Sequence, residues 1–138
     1  MRVVAEKTGT FYGQAMKAGN IYTVAGCGDS CGSFANGIPA TTAQLIDPGA
    51  LTVDGLGNLI FADNSSPVRV VAERTATFYG QAMTAGDIYT LGGSGTTFPA
   101  NGVPAVKAGF SALGLAATAA GNLQVSDLGA NRILEIGG

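Results

Sequence analysis

Cys27-Gly28-Asp29-Ser30-Cys31 is the densest group of reactive side chains in the sequence, with two thiols flanking a carboxylate and a hydroxyl. Such a group could close a small disulfide, hold a metal or present a nucleophile. A structural zinc site takes four nitrogen or sulfur ligands, and the chain has two cysteines and no histidine. A serine nucleophile of the usual kind needs a histidine base, so no conventional triad can form within this chain. What remains is a candidate disulfide, Cys27–Cys31, suited to an oxidising compartment, or a pair of free thiols. The second set of reactive groups is the carboxylates Asp54, Asp63 and Asp127. Each falls at the end of an apolar run, just before a turn. Asp in that position commonly accepts hydrogen bonds from the amides of its own turn. The alternative is a calcium site, which gathers several carboxylate and carbonyl oxygens. Thr118 stands where a further Asp would be expected, which weakens that alternative.

These residues must be positioned by short strands. Apolar residues make up 46% of the chain, too many for disorder from low hydrophobicity. The 22 glycines have no collagen period and separate short Val, Ile, Leu, Thr and Tyr runs, the pattern of strands joined by tight turns. The net charge is −2 and the seven basic residues are scattered, which excludes the concentrated basic surface that nucleic acid needs. No apolar run reaches the roughly 18 residues of a membrane span. No signal-peptide pattern follows Met1. The expectation is a cytosolic chain, or a piece of a longer, secreted one.

An internal repeat organises everything else. Arg2–Gly26 and Arg69–Gly93 agree at 19 of 25 positions, and FYGQAM recurs unchanged at 11–16 and 78–83. Weaker similarity continues from Asn36-Gly37-Ile38-Pro39-Ala40 to Asn101-Gly102-Val103-Pro104-Ala105, and from Gly57-Asn58-Leu59 to Gly121-Asn122-Leu123. The Cys27–Cys31 loop has Ser94-Gly95-Thr96-Thr97 as its counterpart, so the repeat itself does not require the cysteines. Four strand-like segments form one full unit: Ala50–Asp54, Leu59–Ala62, Val68–Ala72 and Ile88–Leu91. Partial units add Val3–Ala5, Ile21–Val24, Leu113–Ala117, Leu123–Val125 and Ile133–Ile136. The Ala-rich segment around Ala112–Ala120 reads as a strand, because its counterpart Ala50–Asp54 alternates like one. Four short strands per repeat is the pattern of a propeller blade.

The stretches Leu51-Thr52-Val53-Asp54, Gly57-Asn58-Leu59-Ile60-Phe61-Ala62-Asp63, Val68-Arg69-Val70-Val71 and Ile88-Tyr89-Thr90-Leu91-Gly92-Gly93 resemble the NHL-repeat family of β-propellers, in its long-repeat actinobacterial form. Pro67-Val68 departs from that family's usual Asn-Arg pair, which Asn131-Arg132 keeps. The resemblance implies an all-β fold of about two four-stranded blades: a partial blade over 1–26, a full blade over 50–93 and a partial blade over 113–138. Propellers have about 4–8 blades. The expectation is therefore a segment of a longer propeller. The alternative is a homo-oligomer of three chains completing a six-bladed ring, with one of the duplicated third strands displaced. The resemblance further implies an extracellular setting and a non-catalytic scaffold or binding module for a protein or small ligand, with no cofactor. Its alternatives are part of a lyase-type propeller enzyme, whose metal-bound histidines this chain lacks, or the sensor domain of a receptor. Arg69 and Arg132 are expected to pair with an acid of a neighbouring blade.

FYGQAM lies in the insertion that lengthens the repeat to 67 residues, against about 40–45 for an ordinary blade. It is expected to form a hairpin whose Phe11, Tyr12 and Met16, and likewise Phe78, Tyr79 and Met83, cover the blade's outer end. The alternative is a repeated interaction patch for a partner. Because only one copy of the repeat carries cysteines, the double variant Cys27→Ser/Cys31→Ser should fold as the parent does, with an unchanged circular dichroism spectrum. Collapse of that variant would show that the loop is part of the core.

Overall fold

The structure, a computed structural model, describes residues 1–28, 32–64, 67–96 and 101–138. It is all-β, with fourteen strands and two short 3-10 turns among the described residues. No helix there is long and apolar enough to cross a membrane. The strands in chain order are β1 (Arg2–Val4), β2 (Gly9–Phe11), β3 (Gln14–Met16), β4 (Ile21–Thr23), β5 (Ile38–Pro39), β6 (Pro48–Val53) and β7 (Leu59–Asp63). They continue with β8 (Val68–Val71), β9 (Ala76–Phe78), β10 (Gln81–Met83), β11 (Asp87–Gly92), β12 (Ala112–Ala117), β13 (Leu123–Asp127) and β14 (Arg132–Ile136).

Every strand-like segment of the sequence is a strand within a residue or two at its ends. Strands β6, β7, β8 and β11 form an antiparallel meander, and β5 adds to its outer edge to give a five-stranded sheet. Strands β12, β13 and β14 form a three-stranded sheet, and β1 pairs with β4 in a two-stranded one. The pairs β2–β3 and β9–β10 are separate hairpins inserted ahead of β4 and β11. None of the sheets is closed.

The five-stranded sheet lies between the other two. Its strands β7 and β8 read Leu-Ile-Phe-Ala-Asp and Val-Arg-Val-Val, with no residue exposed. Successive side chains of a strand point to opposite faces. Leu59, Phe61, Val71 and Ile88 therefore pack with Ala5, Met16 and Val24 on the β1–β4 side. Ile60, Ala62, Val68 and Val70 pack with Leu123, Val125 and Ile136 on the β12–β14 side. A strand apolar on both faces belongs inside a stack.

The two outermost faces differ in kind. Val4 and Ile21 repeat Val71 and Ile88 residue for residue, yet they are 64% and 52% exposed, whereas their counterparts are fully buried. On the opposite end, the register of β13 and β14 puts Gln124, Ser126 and Glu135 where the central sheet has Ile60, Ala62 and Val70. That face is mixed, because Ile133, the register partner of Ser126, is 69% exposed beside those polar side chains.

Ile88→Ala should cost about 2–5 kcal/mol of stability, while Ile21→Ala at the same place in the repeat should cost under about 1 kcal/mol. Denaturant titration of the two variants measures both. Equal costs would mean that both faces are covered.

Candidate functional site

The repeated hexapeptide builds the most elaborate constellation of the fold. In each copy Phe and Gln pair across a two-residue loop, Phe11 with Gln14 and Phe78 with Gln81. The loops Tyr12-Gly13 and Tyr79-Gly80 have positive φ at both residues, 48° and 70° in the first and 51° and 73° in the second. That is the type I′ geometry that suits the twist of a hairpin. Glycine takes it freely, whereas a bulky residue such as tyrosine is uncommon there. Both tyrosines are anchored by their hydroxyls. Tyr12 donates to the Gly57 carbonyl at 2.9 Å, and Tyr79 donates to Asp54 Oδ2 at 3.1 Å. The two copies therefore converge on one turn, Asp54–Asn58, from two adjacent units.

The rest of the motif holds each hairpin against its strands. Gln14 and Gln81 donate to the carbonyls of Thr23 and Thr90 at 3.0 and 3.1 Å. Lys17 and Thr84 donate their amides to the hydroxyls of Tyr22 and Tyr89 at 2.8 and 3.0 Å. Met16, Phe78 and Met83 are buried, while Phe11, Tyr12 and Tyr79 are partly buried. The first hairpin also meets the base of the second. A Cβ on Gly86, which has φ +79°, would lie 2.5 Å from the Tyr12 carbonyl oxygen. Glycine at 86 is thus required twice over, by its backbone conformation and by this approach.

Asp54 organises the turn. Its Oδ1 accepts from the amides of Leu56 and Asn58, both at 2.9 Å, and its Oδ2 accepts from Asn58 Nδ2 at 2.8 Å. Asn58 in turn accepts from the Glu73 amide at 3.0 Å. Thr118 builds the same turn with a hydroxyl. Its Oγ1 accepts from the Asn122 amide at 3.0 Å, and Gly121 has φ 90° where Gly57 has 88°. Asn122 donates instead to Glu135 at 2.8 Å.

The other carboxylates also fasten backbone. Asp63 Oδ1 accepts from Ile46 and Asp47 at 2.8 and 3.3 Å, tying down the segment that enters β6. Asp127 accepts from Ser111 and Gly129 at 3.0 and 3.2 Å. Arg69 lies 3.9 Å from Asp63, and Arg132 lies 3.4 Å from Asp127. These partners correct the expectation of acids from a neighbouring unit. The β7–β8 and β13–β14 hairpins are tight enough that each arginine meets the acid of its own sheet first.

Three groups around the Asp54–Asn58 turn are perturbed. Burial, and then the nearby Glu73 and Asp54 carboxylates, push the Tyr12 hydroxyl up to about 12. Burial and Asp54 push that of Tyr79 up as well. Burial raises the Glu73 carboxyl, partly opposed by the Tyr12 amide that donates to it at 3.2 Å.

Among the described residues no three His, Cys, Asp or Glu side chains converge on a point where a metal ion could sit. The Cys27–Cys31 pair falls partly on Cys31, which lies outside the described residues. Cys27 sits with its sulfur 3.2 Å from the Ala43 carbonyl oxygen. The convergence of both tyrosines on the Asp54–Asn58 turn was missed in the sequence; the only signal was Tyr beside Gly in both hexapeptides. No protein-family model matches the chain. No curated protein matches it in sequence either.

Phe78→Ala should lower stability by about 3–5 kcal/mol, and Phe11→Ala by less, because Phe11 is only partly buried. Thermal melts of both variants check this. A tyrosine whose folded pKa is raised makes folding weaken as pH rises from the unfolded value to the folded one. Stability should therefore fall between pH 10 and about 12 through Tyr12. The variant Tyr12→Phe/Tyr79→Phe should be less stable at neutral pH and lack that fall, as denaturant titrations across the range would show.

Proposed function

We propose that the chain is a non-catalytic scaffold of stacked propeller-type blades, which holds its connecting loops in a fixed array for binding. The observation that carries this reading is the convergence of Tyr12 and Tyr79 on the Asp54–Asn58 turn. The most chemically equipped place in the fold joins one unit to the next. Its carboxylate has both oxygens engaged by the turn and by Tyr79. The four-stranded meander β6–β7–β8–β11 supports the blade, and its resemblance to NHL repeats supports the propeller type. Fold alone does not fix activity; the roles of the polar residues favour the scaffold over a lyase.

The test separates binding architecture from chemistry. Purified chain should show no turnover above buffer in hydrolase and lyase assays, and Asp54→Asn should melt at a lower temperature. Turnover that is abolished by Asp54→Asn at an unchanged melting temperature would replace the scaffold by an enzyme.

A further inference from the structure

Both copies of the repeat place an Asn-Gly pair just ahead of a Pro-Ala step, Asn36-Gly37 in one and Asn101-Gly102 in the other. The local sequences are nearly alike, Ala-Asn-Gly-Ile-Pro-Ala against Ala-Asn-Gly-Val-Pro-Ala. Both asparagines and both glycines are exposed. Gly37 and Gly102 have φ of 69° and 78°, in the left-handed region that favours glycine. Asparagine followed by glycine is a pair open to cyclisation, because glycine has no side chain to hinder attack by its own amide nitrogen.

The two pairs differ in what holds them. Gly37 donates its amide to the Ile88 carbonyl at 2.9 Å. Asn36 Oδ1 accepts from the Thr90 amide at 2.9 Å and from the Thr90 hydroxyl at 3.1 Å. The residues that follow, Ile38 and Pro39, pair with Ile88 and Asp87 of β11. The nitrogen that would attack and the side chain that would be attacked are therefore fastened to one strand. Among the described residues the Asn101 side chain and the Gly102 amide make no counterpart of these bonds.

We propose that the Asn-Gly pair is a modification site of this repeat, where asparagine converts to isoaspartate in water, and that strand pairing governs it, so that Asn101 converts while Asn36 is held. In the conversion the glycine amide nitrogen bonds to the asparagine Cγ. The bond from Cγ to the side-chain nitrogen breaks, and that nitrogen leaves as ammonia with the proton the glycine amide gives up. Water then opens the cyclic imide at one of its carbonyl carbons, giving aspartate or isoaspartate. An amide held in a strand hydrogen bond becomes reactive only when that part of the structure opens. Strand β11 is thus a lock on Asn36. Isoaspartate at position 36 would lengthen the backbone just ahead of β5 and move Ile38 off its partner Ile88, which the lock prevents. This inference is independent of the scaffold reading.

The whole chain is incubated in mildly alkaline buffer below its melting temperature, and peptide mapping by chromatography and mass spectrometry follows the two asparagines separately. Isoaspartate should accumulate several-fold faster at Asn101 than at Asn36. In urea, with the strands undone, the two rates should converge, because the local sequences are nearly alike. Thr90→Val removes the hydroxyl half of the lock and should speed conversion at Asn36 while leaving Asn101 as it was. Equal rates in the folded chain, faster conversion at Asn36, or a gap between the two that persists in urea would overturn the inference. So would a folded Thr90→Val variant whose Asn36 converts at the parent rate. Should that variant fail to fold, the parent chain with and without urea decides alone.

Discussion

A sheet that is apolar on both faces cannot stand alone in water, and the rest of this fold follows from that constraint. Ile60 and Phe61 are neighbours on β7, point to opposite sides and are both fully buried. Burying apolar side chains of this size is worth about 1.5–3 kcal/mol each. The central meander therefore needs a covering sheet on either side, and it has one on each. The buried carboxylates serve the same arrangement. Asp54, Asp63 and Asp127 satisfy backbone amides in the turns and connections that stacking removes from water.

The hexapeptide adds direction to the stack. Its Tyr-Gly loop adopts a conformation that is uncommon for tyrosine, and the hydroxyl contacts to Gly57 and Asp54 hold it there. The Tyr12–Gly57 bond also joins the first unit to the next, whereas the Tyr79–Asp54 bond lies within one unit. A motif with two jobs, closing its own hairpin and fastening the Asp54–Asn58 turn, has little freedom to vary. That accounts for FYGQAM recurring unchanged while the flanking positions drift between Lys7 and Arg74, or Lys17 and Thr84. Met16, Phe78 and Met83 are buried, and Phe11, Tyr12 and Tyr79 are partly so.

Much of the fold was legible in the sequence because it is local. Alternation in Leu51-Thr52-Val53 and the Gly57-Asn58 turn sufficed to place β6 and β7, and the repeat then transferred those assignments to β12 and β13. The hairpin in the 67-residue period was legible as an insertion. What was hidden depends on geometry across units. Nothing in the order of residues shows Tyr12 meeting Gly57, 45 positions away. The arginine partners were also misplaced, since a tight hairpin brings Asp63 nearer to Arg69 than any neighbouring unit can. The polarity of the last face, in contrast, was open to inspection. Gln124, Ser126 and Glu135 replace Ile60, Ala62 and Val70, and register alone reveals the exchange.

The structure implies that Gln124, Ser126 and Glu135 disfavour packing of the outer β13–β14 face against the exposed Val4 and Ile21 of another copy. Removing these polar side chains tests this most directly. The triple variant Gln124→Ile/Ser126→Ala/Glu135→Val gives β13 and β14 the outward residues of the central sheet. Its mass in solution, measured by light scattering over a range of concentrations, should rise above that of one chain as the new face finds the exposed Val4 and Ile21 of another copy. A mass that stays at 13.7 kDa at every concentration, with the variant folded, would contradict the claim.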